Sequence, residues 1–313
     1  MFVGIEIGGT KLQVGVGRGD GGPMDDLCRA EVAPGSSAEA IRRQVERLGK
    51  ELLVRHKVRG VGIGFGGPVD SAAGRTITSH QVEGWDDFPL ADWSREVFGL
   101  PTAIGNDSDL AGLAEARFGA GRGRRIVFYS NVGSGIGGAL VIDGEVYPGG
   151  SGIASEIGHL RPEMSPDPAC TVESVASGWA IAERVRQRIA ARDPDAAELL
   201  ARSDSAGSID TKLAADAARA GNTLAQRAFR DACRVYGWAL AQMITLLAPN
   251  IVVIGGGVAQ TGEDLFLGPL REEVGRYVFP PLAGKYEIVA AALGQEVVVH
   301  GALALAASRQ RGR

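Results

Sequence analysis

Asn106 and Asp107, in the stretch PTAIGNDSDLAG, fall where an apolar strand-like run gives way to a helical one. Ligands of α/β proteins collect at the carboxyl ends of strands, so a carboxylate there is placed to do chemistry. Phosphoryl transfer to an alcohol asks little of a protein beyond positioning, charge neutralisation and an acceptor for the hydroxyl proton. Asp107 could be that acceptor, and Asn106 could bond a neighbouring hydroxyl. Read from the local sequence alone, a helix cap is the better account of Asp107.

Two glycine-rich turns could hold the phosphates. EIGGTK brings Gly8, Gly9 and Thr10 together, and NVGSGIGG does the same with Gly133, Ser134 and Gly135. Small residues in a tight turn leave backbone N–H donors uncovered, and the two hydroxyls add more. Facing each other across a cleft, such loops could grip one triphosphate. Gly62, Gly64 and Gly67, and again Gly133, Gly135 and Gly138, have the G-x-G-x-x-G spacing. The first is followed by Pro68-Val69-Asp70 and the second by the β-branched run ALVI, so neither opens the helix that a dinucleotide site requires. The Walker pattern is absent. A third stretch, SEIGHLRPEMSPDPACTVESVASG, sets one histidine, His159, ahead of one cysteine, Cys170, and raises the question of zinc.

The elements that must position these groups alternate between strand and helix. MFVGIEI and LQVGVGR read as a hairpin joined by GGTK. Ser36 with Glu39 gives a capping-box signal, and Ile41, Val45, Leu48 and Leu52 continue at helical spacing to about His56. VRGVGIGFGGPVD reads as a buried strand, and DSDLAGLAEARF, residues 107–118, as a helix stopped by GAGRGRR. IVFYSNVGSGIGGALVIDGEVYPGG repeats the opening hairpin about 120 residues later, which points to a duplicated architecture. From Trp179 to Leu247 the pattern is helical, with breaks near ARSDSAGSID and RAGN. PNIVVIGGGVA and KYEIVAAALG read as strands and VVVHGALALAASR as a closing helix. The whole is an α/β protein in two lobes.

Bulk properties narrow the function. The 313 residues are 45% hydrophobic and 22% charged, with a net charge of −4 and no dominant basic block. A nucleic-acid partner is therefore not expected. The three cysteines are scattered, which implies no disulfide framework. No leader precedes MFVGIEIGG, and no apolar run is long enough for a membrane span, so the cytoplasm is the default. The 46 glycines cluster at strand ends, where tight turns or close approach to a ligand would call for them.

Taken in order, IEIGGTK, GIGFGGPVD, GNDSDLAGLAEARFGAGRG, SNVGSGIGGALVIDGEVYPG, EIGH, VESVASG and PNIVVIGGGV resemble the ROK family over nearly the whole chain. These are bacterial sugar kinases and sugar-responsive repressors, and the closest likeness is to the glucokinase- and fructokinase-like hexose kinases. The resemblance implies an actin- and hexokinase-like fold, a duplicated ribonuclease H-like α/β design with the active site in the interlobe cleft. It implies a small lobe over residues 1–117, completed by the C-terminal helix at 300–313, and a large lobe over 118–299. The implied activity is ATP-dependent transfer of the γ-phosphate to the primary hydroxyl of a hexose, with glucose first and fructose, mannose or an N-acylhexosamine as alternatives. ATP and Mg2+ are the implied cofactors, and a homodimer the implied assembly.

Roles carry over by position. Asp107 resembles the catalytic base. Asn106, Glu156, His159 and Glu173, with the backbone at Gly66 and Gly67, match the groups that hold sugar hydroxyls. Gly8, Gly9, Thr10 and Lys11 match the first phosphate loop, and Gly133, Ser134 and Gly135 the second. Gly256 and Gly257 match the turn that closes on adenosine. Glu6 stands where the family most often has aspartate near magnesium, Gly66 replaces a usual proline, and Gln81 a usual asparagine. The zinc knuckle after the "GH" pair is reduced to His159 and Cys170. Closed structural zinc needs four N or S ligands, so no zinc is expected, and the link LRPEMSPDPACT, stiffened at Pro162, Pro166 and Pro168, must hold the sugar-gripping halves. Two other readings stand beside the kinase. A repressor would need a helix-turn-helix ahead of the first hairpin, where the chain leaves no room. A non-catalytic sugar-binding member of the family would bind without turnover.

Overall fold

The computed structural model describes residues 1–79, 81–162, 167–190, 196–201 and 205–311. Pro166 and the last two positions of the expected closing helix lie outside these. The described chain divides into two compact units, one of residues 1–125, 139–154 and 292–313, the other of 126–138 and 155–291.

In the first unit, β1 (Phe2–Ile7), β2 (Lys11–Gly17) and β3 (Asp26–Glu31) lead into α1 (Ala38–Arg55), β4 (Val61–Phe65) and the short pair β5 (Val69–Asp70) and β6 (Arg75–Thr76). Then come α2 (Leu90–Phe98), β7 (Thr102–Asn106) and α3 (Asp107–Arg117). The sheet has the order β3-β2-β1-β4-β7. β1 pairs antiparallel with β2 and parallel with β4, and β4 pairs parallel with β7. The parallel strands read as continuous apolar runs because both faces are covered, and every residue of β1 and β4 is buried. On one face lies α1, whose Ile41, Val45, Leu48 and Leu52 form the expected stripe. Its cap is Ser37 rather than Ser36: Ser37 Oγ accepts from Ala40 N–H at 3.2 Å, while Ser36 N–H turns back to Ala33 O. Glu39 pairs with Arg43 and returns no capping-box bond.

The other units of structure follow as β8 (Ile126–Val132), β9 (Ile136–Ile142), β10 (Glu145–Val146), α4 (Val172–Ala176), α5 (Gly178–Ala190), α6 (Ala196–Ala201), α7 (Thr211–Arg219), α8 (Thr223–Leu247), β11 (Ile251–Gly255), α9 (Gly268–Tyr277), β12 (Glu287–Ala290) and α10 (Val297–Arg311). The second sheet has the order β10-β9-β8-β11-β12, which repeats the first: a hairpin, then parallel neighbours. The duplication read from the two glycine-rich hairpins is thus present in the strand order itself.

α10 returns to the first unit and explains glycines that the sequence reading assigned to turns and ligands. A Cβ on Gly62 would sit 1.9 Å from Ala302 O, and one on Gly4 2.7 Å from Val299 O. Glycine within β1 and β4 lets the helix backbone lie directly on the sheet. Residues 139–154 also belong to the first unit, because Arg117 at the end of α3 donates to Gly144 O at 2.8 Å and pairs with Glu145 at 2.6 Å. Glu115, fully buried in α3, accepts from Ala120, Ala292 and Leu293 N–H at 2.8–2.9 Å and ties α3 to the segment entering α10.

Candidate active site

Three parallel strands of the first unit end side by side. Ile7 is in register with Phe65, and Phe65 with Asn106, so the residues that follow (Gly8, Gly66 and Asp107) emerge at one level. Gly66 N–H donates to Ile7 O at 2.8 Å. A Cβ on Gly66 would lie 3.5 Å from both Asp107 Oδ2 and Gly8 Cα. The carboxylate, the Gly66–Gly67 turn and the first glycine loop therefore converge, as chemistry at the carboxyl ends of parallel strands requires.

Asn106, not Asp107, is the cap of α3. Its Oδ1 accepts from Ser108 and Asp109 N–H at 2.9 and 3.2 Å, and its Nδ2 donates to Gly67 O at 3.0 Å. Asp107 is the first helical residue, with Oδ1 taking Ser108 N–H at 2.7 Å and Oδ2 turned to Gly66. The local reading that favoured Asp107 as the cap is corrected by one residue. Asn106 consequently fixes the Gly66–Gly67 turn against the carboxylate, beyond any bond it makes to a hydroxyl.

The first loop is a tight hairpin closed by Gly8 N–H to Lys11 O at 2.9 Å. Lys11 Nζ lies 3.0 Å from Glu6 Oε1 and 3.1 Å from Gln295 O. Gln13, directly across the hairpin from Glu6, donates to Glu6 Oε2 at 2.6 Å and to Gln295 O at 2.8 Å. Both Glu6 oxygens are engaged. A carboxylate keeps lone pairs beyond these bonds, so this site suits a hydrated magnesium reached through water better than direct ligation. Gln13 was missed in the sequence, although two polar residues in otherwise apolar strands, at opposed positions of one hairpin, could have flagged it. Gln81 was noted only as a substitution. Its Oε1 rests on Gly9, where an added Cβ would meet it at 1.6 Å.

The second unit gathers the remaining groups. β8 and β11 run parallel with Asn131 opposite Gly255, so the Gly133–Gly135 loop and the Gly256–Gly257 turn leave the sheet together. Gly256 has φ +89° and leaves no room for a Cβ, which would meet Val132 O at 2.4 Å. Only glycine suits that backbone at that distance. Glu173, in the first turn of α4, accepts from Ile136 N–H through Oε2 at 2.7 Å. Gly178 N–H donates to Gly133 O at 2.7 Å.

Glu156 and His159 stand at either end of one helical turn, with His159 Nε2 3.9 Å from Glu156 Oε2 and both side chains about half exposed. Val172 N–H donates to Leu160 O at 2.8 Å, and Arg161 Nη2 to Pro168 O at 3.1 Å. These bonds close the link between EIGH and VES. The donor set left near the link, His159 and Cys170, does not fit a four-ligand zinc. Among the described residues no three His, Cys, Asp or Glu side chains cluster as a metal site, and no helix is long and apolar enough to cross a membrane.

The ROK family's sequence profile matches residues 2–309. The chain belongs to the ROK family. It is 33% identical to a glucokinase of Thermotoga maritima over 99% of this chain and 98% of that one. It is 32% identical to a glucokinase of Streptomyces coelicolor, covering 98% and 97% of the two chains. Its structure matches that of a ROK family glucokinase from Streptomyces griseus in complex with glucose and AMPPNP, with a TM-score of 0.84, 32% identity and 99% of both chains covered. The α/β fold with its two mixed sheets is thus that of the ROK sugar kinases.

Proposed function

We propose that the chain is an ATP-dependent kinase that transfers the γ-phosphoryl group to the primary hydroxyl of a hexose, glucose first. The observation that carries this reading is the convergence of Asp107 Oδ2, Gly66 and the Gly8 loop at the ends of three parallel strands. The full-length likeness to glucokinases supports the choice of sugar.

Asp107 Oδ2 takes the proton of the sugar's primary hydroxyl as that oxygen attacks the γ-phosphorus and ADP leaves. Asn106 holds the Gly66–Gly67 turn, whose backbone meets the sugar. Glu156, His159 and Glu173 bond the remaining hydroxyls, each of which both donates and accepts. Backbone N–H groups around Gly8–Thr10 and Gly133–Gly135, with the hydroxyls of Thr10 and Ser134, take the phosphate oxygens. Gly256 and Gly257 close on the adenosine. Glu6 holds Lys11 in place through the bond between them, and its carboxylate would help to hold a hydrated magnesium. Magnesium, when bound to the triphosphate, neutralises the charge that develops in transfer. The reading includes a homodimer working in the cytoplasm on a small-molecule sugar, with no nucleic-acid partner.

A coupled assay of ADP release across glucose, fructose, mannose and N-acylated hexosamines tests it. Glucose should give the highest kcat/KM. Absence of turnover with every hexose would overturn the kinase reading.

A further inference from the structure

Glu173 touches more than the sugar-gripping strap. Its Oε2 accepts the Ile136 N–H at 2.7 Å, at the exit of the second glycine loop. The same oxygen lies so close to Gly135 that an added Cβ there would meet it at 2.6 Å. Five residues on, Gly178 N–H donates to Gly133 O at the loop's entry, 2.7 Å away. Gly178 is itself fixed, since its carbonyl accepts from Thr211 Oγ1 at 2.6 Å. Loop closure comes from Gly133 N–H to Gly135 O at 2.9 Å. The segment Glu173–Gly178 therefore braces the loop at both ends, and of the two braces only the one at Glu173 ends on a side chain that can also meet a ligand.

We propose that Glu173 couples the two substrates: the carboxylate that bonds a sugar hydroxyl through Oε1 holds the second phosphate loop through Oε2, so glucose binding fixes that loop and tightens nucleotide binding. This rests on the reading of Glu173 as a sugar contact and of Gly133–Gly135 as a phosphate loop. The physical basis is short. A carboxylate with one free oxygen can rotate or withdraw, and a bond from sugar to Oε1 restrains that motion and with it the charge-assisted bond to Ile136 N–H. Ordering a loop before its ligand arrives removes part of the ordering cost from the second binding step. Coupling of this kind is reciprocal, so nucleotide must tighten glucose by the same factor. The consequence for the enzyme is that empty active sites hold ATP loosely, which limits its hydrolysis in the absence of sugar.

Hydrogen exchange of the wild-type protein, read by mass spectrometry on peptides spanning residues 133–137, tests the relay without any substitution. Glucose alone, at a concentration shown to saturate by calorimetry, should slow exchange there severalfold. Unchanged exchange under saturating glucose would overturn the coupling while leaving the kinase reading intact. No glucose binding at all would instead overturn the reading beneath it. The companion measurement is the Kd of AMPPNP with and without saturating glucose. Glucose should tighten AMPPNP by roughly tenfold in the wild type, within the ordinary range of coupling between sites. The ratio should shrink in Glu173→Gln, which keeps a weaker neutral acceptor, and approach one in Glu173→Ala. A merely structural glutamate would weaken AMPPNP equally in both conditions and keep the ratio, and that result would sink the proposal.

Discussion

Asn106 Nδ2 donates to the Gly67 carbonyl at 3.0 Å while the Oδ1 of the same side chain caps α3. One residue thus sets the angle between the helix that begins with Asp107 and the turn beside it. Asn106→Asp keeps the cap and loses the donor, whereas Asn106→Ala loses both. The alanine variant should lose about 1 kcal/mol of stability, the usual worth of such a cap. Both should lose kcat/KM for glucose on the order of 10²-fold, as misplacement of reacting groups by about an ångström does. Melting temperatures beside steady-state kinetics separate the two effects. An aspartate variant with full activity would show that the Gly67 bond is idle.

Gly66, read in the sequence as a replacement for a usual proline, donates its N–H to Ile7 O at 2.8 Å. Proline has no N–H, so Gly66→Pro leaves the Ile7 carbonyl without this bond. The loss should amount to about 1 kcal/mol, the net worth of a typical hydrogen bond. The added Cβ would also lie 3.2 Å from Ile7 O, a tight approach, and in ordinary contact with Asp107 Oδ2 and Gly8 Cα at 3.5 Å. Gly66→Pro should therefore lower both the melting temperature and kcat, read by calorimetry and the coupled assay. A gain in either would contradict this account of the turn.

The link between EIGH and VES is closed by Val172 N–H to Leu160 O and by Arg161 to Pro168 O, and His159 and Cys170 are the histidine and cysteine beside it among the described residues. Metal analysis of the purified protein should find no stoichiometric zinc. Chelation followed by return of magnesium should restore full turnover, and Cys170→Ser should leave it unchanged. Loss of activity that only zinc reverses would refute this.

Much of this was legible in the chain. Both glycine hairpins, the strand–helix junction at Asp107 and the helical stripe of α1 follow from spacing and turn chemistry, which are local. What escaped reading depends on partners distant in sequence. Glu173 and Ile136 are 37 residues apart, and the glycines of β1 and β4 answer to α10 at the far end of the chain. The cap positions shifted by one residue, at Ser37 and again at Asn106, because Ser36 and Asp107 are equally good caps by type and only backbone direction decides between neighbours.

Burial holds the His300 imidazole below the ordinary histidine range, although Glu296 and Glu115 pull it the other way. The unfolded chain takes up that proton near pH 6.5, whereas the folded chain resists it until lower pH. The unfolded state then binds more protons, so stability is complete above about pH 6.5 and falls as pH drops towards the folded value. Melting temperature followed from pH 8 to pH 5.5 should decline more steeply in the wild type than in His300→Gln. Equal slopes would remove His300 from the explanation.

The most direct test of the central claim sets turnover against binding at Asp107. Asp107→Ala should lower kcat for glucose phosphorylation by on the order of 10²–10⁴-fold, the range that a general base contributes, while calorimetry still finds glucose bound. Turnover at the wild-type rate in that variant would contradict the assignment of Asp107 as the base, and with it the mechanism.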